Sequence, residues 1–148
     1  MRLWHEAMIP YLPRQQLLGQ HRECCALRGN GWGRKHATVN YVFDHPFAWL
    51  VLYHFKVMDE MERRGYTVDG AWRISGYRGQ KADPVTSYAS AFLWQEAVDH
   101  RKHCSLNGCT IYPEHDEKYL AECIENLKKK GIEIKLPIYN SLFSRLIS

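Results

Sequence analysis

The sequence predicts an all-α protein, a compact single-domain bundle of about four helices joined by long loops. Two observations favour this class. In the longest periodic stretch, apolar residues recur at three- and four-residue spacing, which places them on one face of a helix. The alternation of apolar and polar residues that is typical of a strand occurs only in a short stretch, residues 133–138. We expect an extended tail there, with a short strand as the alternative. A length of 148 residues, 45% apolar and 24% charged, suits one globular domain.

The first predicted helix covers residues 14–26. Pro10 and Pro13 precede it and restrict the approach of the chain, since proline fixes its own backbone angle. The buried side of this helix is expected to consist of Leu17, Leu18, Cys25 and Ala26. Residues 28–41 follow as a loop, because three glycines within five positions disfavour a helix.

The second predicted helix, residues 46–64, has the strongest apolar pattern. Its apolar positions cover most of its circumference, so we expect this helix at the centre of the bundle. Asp44 or His45 is expected to cap its first turn, and Gly65 is expected to end it.

The second half of the chain is predicted to contain two more helices. A loop at residues 69–84 leads to a helix over residues 86–103. Irregular residues 104–112 then lead to a helix over residues 113–130. This last helix is expected to begin at its proline, because proline is tolerated in a first turn.

Charge and cysteine content limit the class of protein. The formal net charge is +4, and residues 1–45 hold six basic against three acidic residues. This bias is compatible with nucleic-acid binding but does not establish it. Five cysteines without a secretory leader indicate reduced thiols and a cytoplasmic protein. No apolar run approaches the roughly 18 residues of a membrane span, so no membrane partner is expected.

The start of the chain carries the most informative chemistry. Met1 has an α-amino group, and such a group has a solution pKa of about 7.7–8, which leaves a useful fraction neutral and nucleophilic near pH 7. Arg22 and Glu23 lie in the first predicted helix and provide a cation and a general acid or base. These are the parts needed for amine catalysis on a sugar carbon. The alternative is a frayed terminus and a surface ion pair.

These residues resemble the pyrimidine-dimer DNA glycosylase family, of the phage endonuclease V type. The similar segments are Met1-Arg2-Leu3-Trp4, His21-Arg22-Glu23, and a stretch from Gly33-Arg34-Lys35-His36 through Asp44-His45-Pro46 to Tyr66. Residues 84–87 with Trp94-Gln95 are similar to the bacterial branch of the family. The resemblance covers residues 1–103 and leaves residues 104–148 as a helical extension of unknown role.

The resemblance implies a DNA repair glycosylase with abasic-site lyase activity. The amine of Met1 would attack C1′ of a damaged nucleotide and form an imine, and Glu23 would act as the acid or base. Arg2 and Arg22 would hold phosphates around the extruded nucleotide. The implied substrate is damaged duplex DNA, a pyrimidine dimer or another damaged base, and the implied enzyme is a monomer that needs no cofactor and no metal.

The loop at residues 28–41 is a second candidate contact with DNA. Basic residues interleaved with an aromatic residue suit phosphate contact and base stacking. The residues concerned are Trp32, Arg34, Lys35 and His36. The alternative is a solvated loop whose Trp32 folds onto the core.

A metal site is the remaining alternative chemistry. Zinc binds histidine and cysteine, and His100, His103, Cys104 and Cys109 lie within ten residues of one another. Buried thiols and exposed histidines explain the same residues without a metal. Two other functions stay open at this point: a nucleic-acid-binding module without catalysis, and a helical protein-interaction domain.

Overall fold

The computed structural model describes residues 1–86, 88–107 and 110–136, and over these residues it contains helices and no strand. The predicted all-α class is confirmed. The α-helices are α1 (Arg14–Arg28), α2 (Phe47–Arg63), α3 (Tyr88–Asn107) and α4 (Glu117–Lys129). Short 3-10 helices cover Glu6–Tyr11, Asn40–Asp44 and Gly70–Arg73. Within this described part of the chain, none of the helices has both the length and the hydropathy to cross a bilayer.

Helix α2 lies at the centre, as its apolar pattern predicts. It packs against α1 and α3, and also against the 3-10 helices Glu6–Tyr11 and Asn40–Asp44. Ten of its 17 residues are buried, which requires neighbours on more than one side. Gly65 ends the helix with a positive φ of 88°, a conformation that glycine adopts without strain.

Helix α1 buries a more polar face than its sequence predicts. Leu17 is buried as expected, but Ala26 is exposed and Leu18 and Cys25 are only half-buried. The buried face consists of Leu17, Gln20, Cys24, Leu27 and Arg28. Apolar content alone points to the wrong side of the helix, because Gln20 and Arg28 are accommodated by specific hydrogen bonds.

The start of α2 differs from the prediction. No side chain caps α2, so the predicted cap by Asp44 or His45 is wrong, and Pro46 instead stands before the first turn. His45 pairs with Glu114 at 2.8 Å and stacks on Trp49 with the ring centroids 4.5 Å apart. This contact comes from a segment distant in sequence, which local capping rules do not consider.

The second half of the chain also departs from the expected boundaries. Helix α3 continues through Asn107, so residues 104–107 are helical rather than irregular. Helix α4 begins at Glu117 and not at the proline, because the Asp116 carboxylate accepts the Tyr119 N–H at 2.8 Å and caps the helix there. Residues 132–136 have no regular secondary structure, and the rest of the expected tail lies outside the described residues.

Residues 110–136 pack onto the start of the chain. The Tyr119 hydroxyl donates to the carbonyl of Leu3. The Glu6 N–H donates to Nδ1 of His115 at 3.1 Å, and the Ile111 N–H donates to Oε2 of Glu6 at 2.7 Å. The described part of the predicted extension therefore fixes the amino-terminal segment.

Candidate active site

Hydrogen bonds tie the first two residues to α1 and to the basic loop. The carbonyl of Met1 accepts a bond from the Thr38 hydroxyl. The N–H of Arg2 donates to Oε2 of Glu23 at 3.2 Å, and the carbonyl of Arg2 accepts from Nε2 of Gln20 at 3.0 Å. The terminal amine is therefore held one peptide unit away from the Glu23 carboxylate.

The next two residues are held as firmly as the first two. The Trp4 N–H donates to Oε1 of Gln20 at 2.6 Å, and the Tyr53 hydroxyl donates to the Trp4 carbonyl at 2.5 Å. Leu3 is fully buried and bonded through its carbonyl to α4, as described above. This start of the chain is an ordered part of the fold rather than a frayed terminus.

The Glu23 carboxylate has one occupied and one available oxygen. Oε2 accepts from the Arg2 N–H and from Nε2 of Gln20 at 3.3 Å, whereas Oε1 accepts no hydrogen bond from the residues that the structure describes. The α-amino group of Met1 forms no ion pair with a carboxylate of those residues. An unpaired amine can lose its proton and react as a nucleophile, beside a carboxylate that can exchange one.

Two arginines next to Met1 and Glu23 in the sequence are candidates for phosphate contact. The Arg2 guanidinium lies 3.2 Å from Glu122 of α4 and 5.9 Å from the centre of the Tyr119 ring. Glu122 is 57% exposed, and exposed ion pairs are weak, so a phosphate group can displace it. Arg22, the residue before Glu23 in α1, is exposed.

The basic loop adjoins the amino terminus. Arg34, Lys35 and His36 are exposed, and Nδ1 of His36 lies 3.2 Å from the Thr38 hydroxyl that holds Met1. His36 thus lies next to the first residue of the chain, and the exposed Arg34 and Lys35 belong to the same loop.

Trp32 occupies the position that the alternative interpretation gave it. Its ring is half-buried and packs edge-on against Phe43 and Phe47, with centroids 5.2 and 5.0 Å away. Base stacking by Trp32 stays a prediction, and the arginine and lysine of this loop are better placed for contact with DNA.

Three potential metal ligands meet between α1 and α2. Nδ1 of His21 lies 2.8 Å from Nε2 of His54, and Sγ of Cys25 lies 3.8 Å from Nε2 of His21. These ligand atoms lie within 4.8 Å of one another, and zinc binds such donors. No sequence motif indicates that these three residues meet, because His54 comes from another helix.

The contact of Arg28 with His54 disfavours metal binding between these three residues. Its Nη1 lies 3.0 Å from Nδ1 of His54, and a guanidinium can only donate, so Nδ1 accepts and Nε2 of His54 carries the proton. That proton points to Nδ1 of His21, and the pair forms a hydrogen-bond chain. A metal on Nε2 of His54 would require a different tautomer and would lie close to a positive charge.

The metal set predicted from sequence is only partly described. Nε2 of His100 lies 2.8 Å from the Ile111 carbonyl and 3.6 Å from Sγ of Cys104, while Cys109 lies outside the described residues. His103 is exposed and Cys104 is buried. Neither belongs to the group of three that the described residues bring together.

Arg28 is fully buried and fastens a loop to α1. Its guanidinium donates to the carbonyls of Trp72 at 2.8 Å and of Ile74 and Tyr77 at 2.9 Å. Burial lowers the pKa of Arg28 to about 10, so it remains charged at neutral pH. Its Nε is buried without a hydrogen-bond partner among the described residues.

We expect the fold to lose stability as the pH falls below about 6.5, the ordinary pKa of histidine. Burial lowers the pKa of His54 to about 2 and that of His115 to about 3, so both stay neutral in the folded protein while the unfolded chain takes up protons. Between pH 7.5 and 5.5 these two residues together should cost about 3 kcal/mol of unfolding free energy. Urea titrations at both pH values measure the total change in unfolding free energy, to which His5 and His21 contribute in the same direction because burial lowers their pKa values as well. Equal stabilities at the two pH values would contradict the expectation.

Several residues of the site could not be found from the sequence. Gln20 lies three positions before Glu23, which places both on one side of α1, but glutamine alone carries no signal. Thr38, Tyr119 and Glu122 reach the amino terminus only through tertiary contacts.

One of the comparisons with known proteins identifies a family. The family model for pyrimidine dimer DNA glycosylase matches residues 1–74, half of the chain, and this region includes Met1, Arg22, Glu23 and the basic loop. Curated proteins and solved structures give no significant match. Helices α3 and α4 lie outside the matched region. The chain therefore belongs to the pyrimidine dimer DNA glycosylase family, a family of enzymes that act on DNA.

Proposed function

We propose that this enzyme excises pyrimidine dimers, or another damaged base, with the α-amine of Met1 and then cleaves the abasic strand. The observation that carries the proposal is the bond from the Arg2 N–H to Oε2 of Glu23 at 3.2 Å. It fixes a free amine one peptide unit from a carboxylate with an available oxygen.

The proposed reaction has two stages. In the first, the neutral amine of Met1 attacks C1′ of the damaged nucleotide as the bond to the base breaks. The base takes up a proton from water and, in a dimer, stays joined to the neighbouring pyrimidine. The sugar ring opens to an imine between the amine and C1′. In the second stage, a proton leaves C2′ and the 3′-phosphate departs, which nicks the strand; water then releases the amine.

Glu23 is the acid–base group in this proposal. Its ionised carboxylate would stabilise the positive charge that develops on the sugar, and Oε1 would carry protons during ring opening and elimination. Such acid–base help contributes typically about 10²- to 10⁴-fold to a rate. The occupied Oε2 would keep the carboxylate oriented.

The basic side chains would bind the DNA backbone. Arg2 and Arg22 would hold phosphates around the extruded nucleotide, and Arg34, Lys35 and His36 would add contacts from the basic loop. The target nucleotide must leave the stack before an amine can reach C1′, and phosphate contacts on both sides would hold the opened duplex. Trp32 could add a base contact only at the exposed part of its ring.

The assignments of localisation, oligomeric state, family branch and cofactor requirement rest on the sequence. We propose a cytoplasmic monomer of one domain, of the bacterial branch, that acts without cofactor or metal. The tertiary contacts of Tyr119 and Glu122 with the amino terminus support a single domain, in which the helical extension completes the site.

Borohydride trapping on a duplex with one abasic site tests the amine mechanism. We expect the untagged protein to form a covalent adduct, and protein acetylated at the amino terminus to form none. A duplex with a pyrimidine dimer tests the lesion, because it should be trapped without a preformed abasic site. Tight, salt-sensitive binding of both duplexes without any adduct would contradict the mechanism and favour a binding module.

A further inference from the structure

Gln20 is the buried residue that joins the amino-terminal segment to Glu23. Its side chain is 1% exposed. Oε1 accepts from the Trp4 N–H at 2.6 Å and from the Tyr53 hydroxyl at 3.1 Å. Nε2 donates to the Arg2 carbonyl at 3.0 Å and to Oε2 of Glu23 at 3.3 Å. All four hydrogen-bonding positions of the amide are therefore used.

The orientation of this amide follows from its partners. The Trp4 N–H can only donate, so the atom facing it must be the oxygen. The Arg2 carbonyl can only accept, so the atom facing it must be the nitrogen. Only a neutral amide of this length provides two acceptor and two donor positions at this place.

We propose that Gln20 is a positioning residue for catalysis, because one side chain sets the place of the amine and the orientation of the Glu23 carboxylate at once. The inference rests on the proposed function and names a residue that acts through Met1 and Glu23 without contacting DNA. Its bond to the Arg2 carbonyl fixes the peptide unit next to Met1. Its bond to Oε2 holds one carboxylate oxygen and leaves Oε1 without a hydrogen bond from the described residues.

Gln20→Met tests the proposal, since methionine has nearly the same length and no hydrogen bonds to offer. A misplacement of about 1 Å can cost about 10²-fold in rate. We therefore expect the trapping rate at saturating abasic duplex to fall about 10- to 100-fold, with the half-saturating DNA concentration unchanged. A merely structural residue would lower the amount of active enzyme, seen as adduct yield, and leave the rate per active molecule as it was.

Tyr53→Phe is the matched control. It removes a buried hydroxyl that also bonds to Trp4 and to Gln20, but it leaves the bonds of Gln20 to Arg2 and Glu23 intact. We expect a similar loss of stability and a trapping rate within about threefold of the unmodified protein. Equal rate losses in the two variants would overturn the assignment of positioning to Gln20.

Gln20→Glu distinguishes the acceptor role of the Gln20 amide from its donor role. It retains an acceptor for Trp4 and Tyr53 but places a second carboxylate beside Oε2 of Glu23, and two adjacent carboxylates do not ionise independently. We expect the acidic limb of the pH–rate profile to move to higher pH. An unchanged profile with an unchanged rate would contradict the proposed contact.

Hydrogen exchange separates this inference from the proposed function. In Gln20→Met, the amide of Trp4 should exchange at least tenfold faster than in Tyr53→Phe, whether or not the protein reacts with DNA. Faster exchange in a protein that is never trapped would mean that the amine mechanism has failed, although Gln20 still holds the amino-terminal segment in place. Unchanged exchange with unchanged trapping would overturn the inference.

Discussion

Glu23→Gln is expected to lower the rate of strand cleavage at an abasic site by about 10²- to 10⁴-fold. The amide can keep the bonds that Oε2 now accepts from the Arg2 N–H and from Gln20, so the fold around the amine should persist. It cannot carry a proton or a negative charge at the position of Oε1. The affinity for duplex DNA should be equal or slightly higher, because a negative charge beside the phosphates is removed. Single-turnover cleavage and fluorescence anisotropy measure the two quantities.

Glu122→Gln provides the control for the Glu23 substitution. It removes the same charge from the same neighbourhood, since Glu122 pairs with Arg2 at 3.2 Å, but it is 57% exposed and belongs to α4. We expect cleavage rates within about twofold of the unmodified protein, as an exposed ion pair contributes only about 0–1 kcal/mol. A loss in Glu122→Gln as large as that in Glu23→Gln would show that net charge, and not the carboxylate of Glu23, governs the rate.

Arg28→Met is expected to lower the free energy of unfolding by about 3 kcal/mol or more, because an unsatisfied buried carbonyl costs about 1–3 kcal/mol and three carbonyls lose their donor. These are the carbonyls of Trp72, Ile74 and Tyr77. Removal of an unpaired buried charge offsets part of this cost. The midpoint of thermal unfolding should fall by on the order of 10 °C. Denaturant titration followed by circular dichroism measures the change.

A second substitution of Arg28 distinguishes the contribution of its positive charge from that of its hydrogen-bond geometry. Arg28→Lys keeps the positive charge but cannot reach three carbonyls, so we expect a comparable loss. Arg14→Met, at an exposed position of the same helix, should stay within about 0.5 kcal/mol of the unmodified protein. If Arg28→Met were as mild as Arg14→Met, the buried arginine would not hold the loop.

The helices could be predicted where periodicity is strong and local. The apolar pattern of α2 places it at the centre, and Gly65 marks its end. The start of α4 could not be found in this way, because capping by Asp116 prevails over the preceding proline. The buried face of α1 could not be predicted from the hydrophobic pattern either. Gln20 and Arg28 are buried because they form hydrogen bonds with residues from other parts of the chain.

The candidate site could likewise be predicted only in part. Met1, Arg2, Arg22 and Glu23 could be proposed because their order in the chain resembles that of a known family, and the structure holds the backbone of Arg2 against Glu23. The residues that fix this arrangement come from other helices and loops. Thr38, Tyr53 and Tyr119 contact the segment only after the chain has folded, and a hydroxyl in a sequence gives no indication of its partner.

The most direct test of the central claim is to identify the amine that joins the DNA. After borohydride trapping on an abasic duplex, nuclease digestion and cleavage after glutamate, mass spectrometry should find the sugar remnant on the peptide of residues 1–6, at the α-amine of Met1. Lys35, which is exposed in the neighbouring basic loop, is the competing amine. A remnant on Met1 is the predicted result; a remnant on Lys35, with Met1 unmodified, would contradict the account.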